Sequence, residues 1–215
     1  MTTKPILLFL LALLVCPTIL SAQKESKSEV DLLADNTALV YDVTFERENY
    51  QFIVEISKKP TQLIFDYSIK GGSKILSGTY FTDKIESLKE ENIYIPGFQR
   101  QETNGTYFVL PLALQKKILS MKRNKKIPIT INNDQYILSS HGIDEFFFRE
   151  EGEEYRSSVR AFYCFLNKTK NNYSYGYFAV HYSDTVPVLL GLSFTDEEDS
   201  SKNFSMRLVE VRKLK

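Results

Sequence analysis

TYFVLPLALQKKILSMKRNKKIPITI, Thr106–Ile131, is the stretch on which the reading of the fold turns. Leu110, Leu114, Ile118 and Met121 recur at helical spacing, forming one apolar stripe of a 3.6-residue period. Pro111 falls in the first turn, where its missing N–H has no intrahelical partner to lose. Lys122, Arg123, Lys125 and Lys126 gather at the other end, where unpaired carbonyls and the helix dipole favour cations. The spacing therefore predicts a helix that closes among those cations. Ile127, Ile129 and Ile131 then alternate at period two, as a strand does.

Outward from that helix, the periodic segments read as strands. Leu39-Tyr41-Val43-Phe45 alternate with polar residues, and so do Tyr50-Phe52-Val54-Ile56 and Leu63-Phe65-Tyr67-Ile69. Arg47-Glu48-Asn49 suits a three-residue hairpin loop, Gly71-Gly72 a turn, and 74–81 a returning strand, so the first half predicts a four-stranded meander. Asp83 followed by Glu86 resembles a capping box for a short helical turn. Beyond the helix, Asn132-Asn133-Asp134 turns into Tyr136–Ser139, and the apolar triplet Phe146-Phe147-Phe148 reads as a strand passing from edge to core. Val159–Leu166 and Tyr173–Tyr182 pair around a turn at 167–172, and Val186–Phe194 and Phe204–Val211 follow. The fold class these patterns predict is mainly β: a curved antiparallel sheet, a half-barrel, packed on one principal α-helix.

Residues 1–22 read as a signal peptide. Lys4 supplies a positive start, Ile6–Val15 an apolar run, and Leu20-Ser21-Ala22 a small-residue cleavage site. The run is shorter than the ~20 residues a spanning helix needs, so no transmembrane segment is expected in the mature chain. Val15 before Cys16 is larger than the residue that normally precedes a lipidated cysteine, which argues against a lipid anchor there. Residues 23–36 read as a flexible lead-in, and 37–215 as a single β-rich domain. With 27 basic and 27 acidic side chains, no global field draws the chain to nucleic acid. Once Cys16 is removed, Cys164 is the only thiol, so stability rests on packing without an internal disulfide. Fifteen Phe and 13 Tyr, with no Trp, supply that packing.

Leu33–Thr44 (LADNTALVYDVT), Lys116–Ile131 (KKILSMKRNKKIPITI) and the ending that runs from DTVPVLLGLSF at 184–194 to MRLVEV at 206–211 occur in this order. Together with the leader ending LSAQ, they resemble a group of uncharacterised secreted β-rich proteins of Bacteroidota, a family of unknown function. Asp184-Thr185-Val186 is similar to the triplet those bacteria O-glycosylate in exported proteins. The resemblance implies a curved sheet partly wrapped around a helix, distantly similar to the half-barrels of periplasmic lipoprotein carriers. It implies no catalytic residues.

The chemistry-bearing residues are few. His141 and His181 are the only histidines, and neither HExxH nor CxxC spacing occurs, so no metal site and no cofactor is expected. Cys164 and His181 lie on strands that pair, which makes a thiolate–imidazole couple conceivable, although a buried inert cysteine is the simpler reading. Ser139-Ser140-His141 lacks the GxSxG elbow and reads as loop residues. Tyr173, Tyr175, Tyr177 and His181 share a strand face at period two, a stripe able to stack sugar rings or line an apolar groove, or simply to pack across strands. Lys116, Lys117, Lys122, Arg123, Lys125 and Lys126 form a basic patch that could meet anionic head groups or act only as a solvated face. Asp144–Glu154 could lie against it. Asp196–Asp199 lacks the ligand alternation of a calcium loop.

The expected function is an exported, non-catalytic envelope protein, located in the periplasm or outside the cell, that binds an apolar or amphiphilic ligand between helix and sheet. The alternative is a structural or assembly partner binding another envelope protein. A Cys164–His181 enzyme ranks last.

Overall fold

The computed structural model describes residues 30–59, 62–72, 77–82, 92–97, 107–123, 125–154, 156–168, 174–183 and 185–215. The leader, the start of the lead-in, the proposed turn at Asp83–Glu86 and Tyr173 lie outside these residues. Among the described residues there are eleven strands, in one sheet, and one α-helix. The first four are β1 (Thr37–Phe45), β2 (Glu48–Lys59), β3 (Gln62–Lys70) and β4 (Ser77–Thr82), the meander expected from the alternation. A two-residue β5 (Asn92–Ile93) leads to α1 (Leu112–Leu119). Then come β6 (Lys126–Ile131), β7 (Asp134–Glu150), β8 (Arg156–Lys168), β9 (Ser174–His181), β10 (Leu189–Asp196) and β11 (Phe204–Lys213).

The strand order is β4-β3-β2-β1-β11-β10-β9-β8-β7-β6-β5. Neighbours are antiparallel except β5 beside β6. The far end of β7 also pairs in parallel with β11, Glu210 opposite Arg149 and Val211 opposite Glu150. The pairings β7-β8-β9-β10-β11 thus return on themselves, while β1 to β4 extend from β11 as a wing. Register shifts at Val40/Tyr41, at Ser140/Gly142 and at Leu189/Gly191 add the local bend and twist that such a return requires.

Three features differ from the sequence reading. The helix is eight residues long and stops at Leu119, with Pro111 as its N-cap. Lys122, Arg123 and Lys125 therefore lie in the connection to β6, and Lys126 opens that strand. The helix closes with Ser120 N donating to Lys116 O and Met121 N to Ile118 O, and Met121 is buried in the core before the chain reaches β6. Next, the β1–β2 hairpin closes on Glu46 and Arg47, Phe45 facing Glu48, with both turn residues at positive φ of 51° and 68°. This left-handed pair matches the twist of its strands better than a three-residue loop does. Last, Ser139-Ser140-His141 is not a loop. β7 runs unbroken for 17 residues from the Asn132-Asn133 turn through Phe146–Phe148, and His141 is the extra residue at its bulge.

The apolar stripe Leu110, Leu114, Ile118 and Met121 is buried in one contiguous core with the inward residues of both halves of the sheet, among them Tyr41, Phe52, Phe65, Ile129, Leu138, Phe178 and Leu192. Tilted and edge-on aromatic contacts knit that core, such as Phe65 to Phe108 at 5.1 Å and Tyr136 to Phe194 at 4.9 Å. A smaller cluster of Ala38, Val40 and Ile53, covered by Val209 and Leu214, packs on the other face of β1. The Tyr41 hydroxyl donates to the Leu189 carbonyl at 3.0 Å, joining the wing to β10 inside the protein.

Candidate functional site

Helix α1 meets the sheet at the end of β9, and one buried side chain fixes the junction. Gln115 shares the inward face with Leu114 and Ile118. Its Nε2 donates to the carbonyls of His181, Ser183 and Val186 at 3.3, 2.8 and 3.0 Å. Its Oε1 is buried without a hydrogen-bond partner. Just before the helix, Leu110 N donates to Pro187 O and Leu189 N donates to Phe108 O, both at 2.7 Å, around the bridge of Val109 with Val188. The β9–β10 connection is thereby clamped to the helix along its length. Buried amide-to-carbonyl bonds of this kind are expensive to leave unmade, so the two walls stay in fixed register.

Between those walls lies a cleft of about 280 Å³. Lys116, Leu119 and Ser120 line it from the helix, Tyr182 and Ser183 from the end of β9. Arg160 of β8 places its guanidinium 4.9 Å over the Tyr182 ring. The cleft thus combines an alkyl and an aromatic wall with two hydroxyls and an ammonium group. No carboxylate is among its described lining residues.

The tyrosine stripe is divided by the coil of the sheet. Tyr175 is 61% exposed, Tyr177 is half-buried against the core, and His181 is buried at 3%. All three keep the same strand parity, but the sheet carries that face from solvent into the interior, so His181 does not join the tyrosines at a surface. Beside Tyr177, across the β8–β9 pairing, stands Phe165, 51% exposed, with the His141 ring edge-on at 4.7 Å.

Cys164 faces Phe178 and His181 faces Ala161. Three residues of strand separate the two positions, roughly 10 Å. Burial pushes the Cys164 thiol up to about 12, which keeps it protonated rather than nucleophilic.

Lys116, Lys117, Lys122, Arg123, Lys125 and Lys126 are all exposed. No ion pair engages any of them among the described residues, and none joins them to the acidic Asp144–Glu154 stretch. The Asp196–Asp199 loop is a capped turn. Asp196 Oδ1 accepts from the backbone N–H of Glu198 and Asp199, and hydrogen bonds from Ser201 and Lys202 hold the Asp199 carboxyl at about 2.

Gln115, Tyr182 and Arg160 escaped the sequence reading. Only Gln115 left a trace there, as a polar residue on the face that Leu114 and Ile118 make apolar. Compared with protein-family models, curated proteins and solved structures, the chain gave no match.

Proposed function

We propose that this chain is an exported, non-catalytic envelope protein that holds an amphiphilic molecule where the helix meets the sheet. The curved sheet would act as a half-barrel that stations α1, and the cleft beside Gln115 would take the ligand. One observation carries the reading: Leu119 and the Tyr182 ring offer an apolar wall within reach of Lys116, Ser120 and Ser183. Small-molecule sites combine such walls with a few convergent polar groups. The stripe Leu110, Leu114, Ile118 and Met121 fills the deeper helix–sheet space, which favours a ligand at the rim of the helix over one beneath it.

Native mass spectrometry of protein purified from its own envelope tests this reading. A retained amphiphile that Leu119→Asp expels is the expected result, and bare wild-type protein from every preparation would sink it. A second reading, an assembly partner of another envelope protein, is favoured by the exposed Phe165 and Tyr175 on neighbouring strands. Crosslinking that captures one defined protein through those two positions would support it. The raised, buried thiol of Cys164 ranks the enzyme reading last.

A further inference from the structure

We infer that the cleft selects an anionic head group, a phosphate or carboxylate, and that the surrounding cations draw it in. The inference rests on the amphiphile reading and adds the chemistry of the head. Lys116 lines the cleft, and Arg160 stands over its Tyr182 wall. Lys117 is next on the helix, and Lys122, Arg123, Lys125 and Lys126 follow in the short passage to β6.

Two facts give these charges a direction. The chain is neutral overall, with 27 cations balanced by 27 anions, so this concentration is local. All six cations in the segment are exposed, and none has a carboxylate partner among the described residues. Cations used for stability are commonly paired or set on helix-end carbonyls. Here the helix ends at Leu119, so the last four lie beyond it. Within the cleft, the Ser183 hydroxyl can donate to the same oxygens that Lys116 neutralises, while the Ser120 hydroxyl donates to the Lys117 carbonyl at 3.1 Å. Hydrogen bonds from charged donors to phosphate or carboxylate are roughly twice as strong as neutral ones. The Gln115 clamp holds the backbones that carry Lys116, Ser120 and Ser183 in fixed register before a ligand arrives.

Equilibrium binding to the full-length mature protein tests the inference, using three probes below their micelle concentrations: dodecyl phosphate, dodecyl maltoside and inorganic phosphate. Dodecyl phosphate should bind at least about tenfold tighter than the maltoside, since charge-assisted hydrogen bonds replace neutral ones. Lys116→Ala should remove about tenfold of that preference, and Lys116→Arg should restore most of it. Changing Lys122, Arg123, Lys125 and Lys126 together to Ser should weaken binding only about threefold but flatten its salt dependence, as expected for steering charges. These side chains are exposed, so unchanged thermal unfolding will verify that the variants fold.

Equal affinity for the phosphate and the maltoside would overturn the anionic head group and leave the amphiphile reading standing. No binding of either dodecyl probe would overturn both. Inorganic phosphate bound as tightly as dodecyl phosphate, and unaffected by Leu119→Asp, would identify a site for a free anion. That result keeps the charge assignment and ends the amphiphile reading.

Discussion

Strand β2 of the wing and the ring strands β9 and β10 are all antiparallel, yet they bury their residues by different rules. In β2, Tyr50, Phe52, Val54 and Ile56 are buried while Gln51 and Ser57 are only partly covered and Glu55 is exposed. Ile53 departs from the alternation because the small second cluster covers it. In β9 and β10, Phe178-Ala179-Val180-His181 and Leu189 to Leu192 are buried without interruption. A sheet with one wet face shows period two, and a sheet covered on both faces does not. β2 has one main core beneath it, whereas β1, between β2 and β11, is buried without a break from Thr37 to Tyr41 because the second cluster covers its other face. In the ring strands neighbouring residues of opposite parity, Phe178, Ala179 and Val180 in β9 and Leu189 and Leu190 in β10, all join the main core.

The sharpest way to break the comparison is to add a methyl group at Gly176. A Cβ there would stand 1.9 Å from the Ser193 carbonyl oxygen, a backbone atom that cannot step aside. Gly176→Ala should abolish folding or lower Tm by more than about 10 °C in a thermal melt followed by circular dichroism, as large steric insults do. In the wing, Ser57→Ala should stay within about 0.5 kcal/mol. Similar losses at both sites would erase the distinction.

Leu114→Ala comes next. It empties a fully buried position of the helix stripe and should cost about 2–5 kcal/mol, read as a fall in the urea midpoint without a change in slope. A loss under 1 kcal/mol would show that the helix is not part of the common core.

Tyr41→Phe probes the seam between the two regions. It removes the hydroxyl that reaches Leu189 O and leaves a buried carbonyl unsatisfied, at about 1–3 kcal/mol. Hydrogen exchange should accelerate in β10 more than in β2.

The smallest effect is alkaline. Cys164 is pushed up to about 12 from an ordinary value of 9.0, so above pH 9 the unfolded thiol ionises while the folded one keeps its proton. Stability should therefore fall as pH rises from 9 towards 12, by about 1 kcal/mol at pH 10. Cys164→Ala should remove that part of the slope, and identical alkaline profiles would refute the burial of the thiol.

The wing was legible because hydrophobic alternation and turn residues act locally. Leu39 to Phe45 and Tyr50 to Ile56 name their own faces. The β8–β9 pairing was legible for the same reason, and so was the helical stripe. The helix length was not, since the cations after Leu119 suit a helix end and a polar connection equally well. β7 was split in the reading because Ser139-Ser140-His141-Gly142 lacks apolar content, and its bulge is stabilised by β8, which sequence spacing does not reveal. The cleft was hidden for a related reason: Lys116, Leu119, Tyr182 and Ser183 meet only after Gln115 has tied two distant segments together. His181 shared a parity with Tyr175 and Tyr177, but parity cannot report how far a sheet coils.

β11 lies between β1 and β10 and also touches the end of β7, with Thr37 facing Lys213. It is the keystone of the sheet, and it is made late. Until residues 204–213 join the sheet, β1 presents an unfilled hydrogen-bonding edge and the ring has a gap. Open edges invite pairing with other chains, and contacts so remote in sequence form slowly. Before that closure the β1–β4 meander carries an open edge, and exposure of that edge is the point at which folding is most open to pairing with another chain.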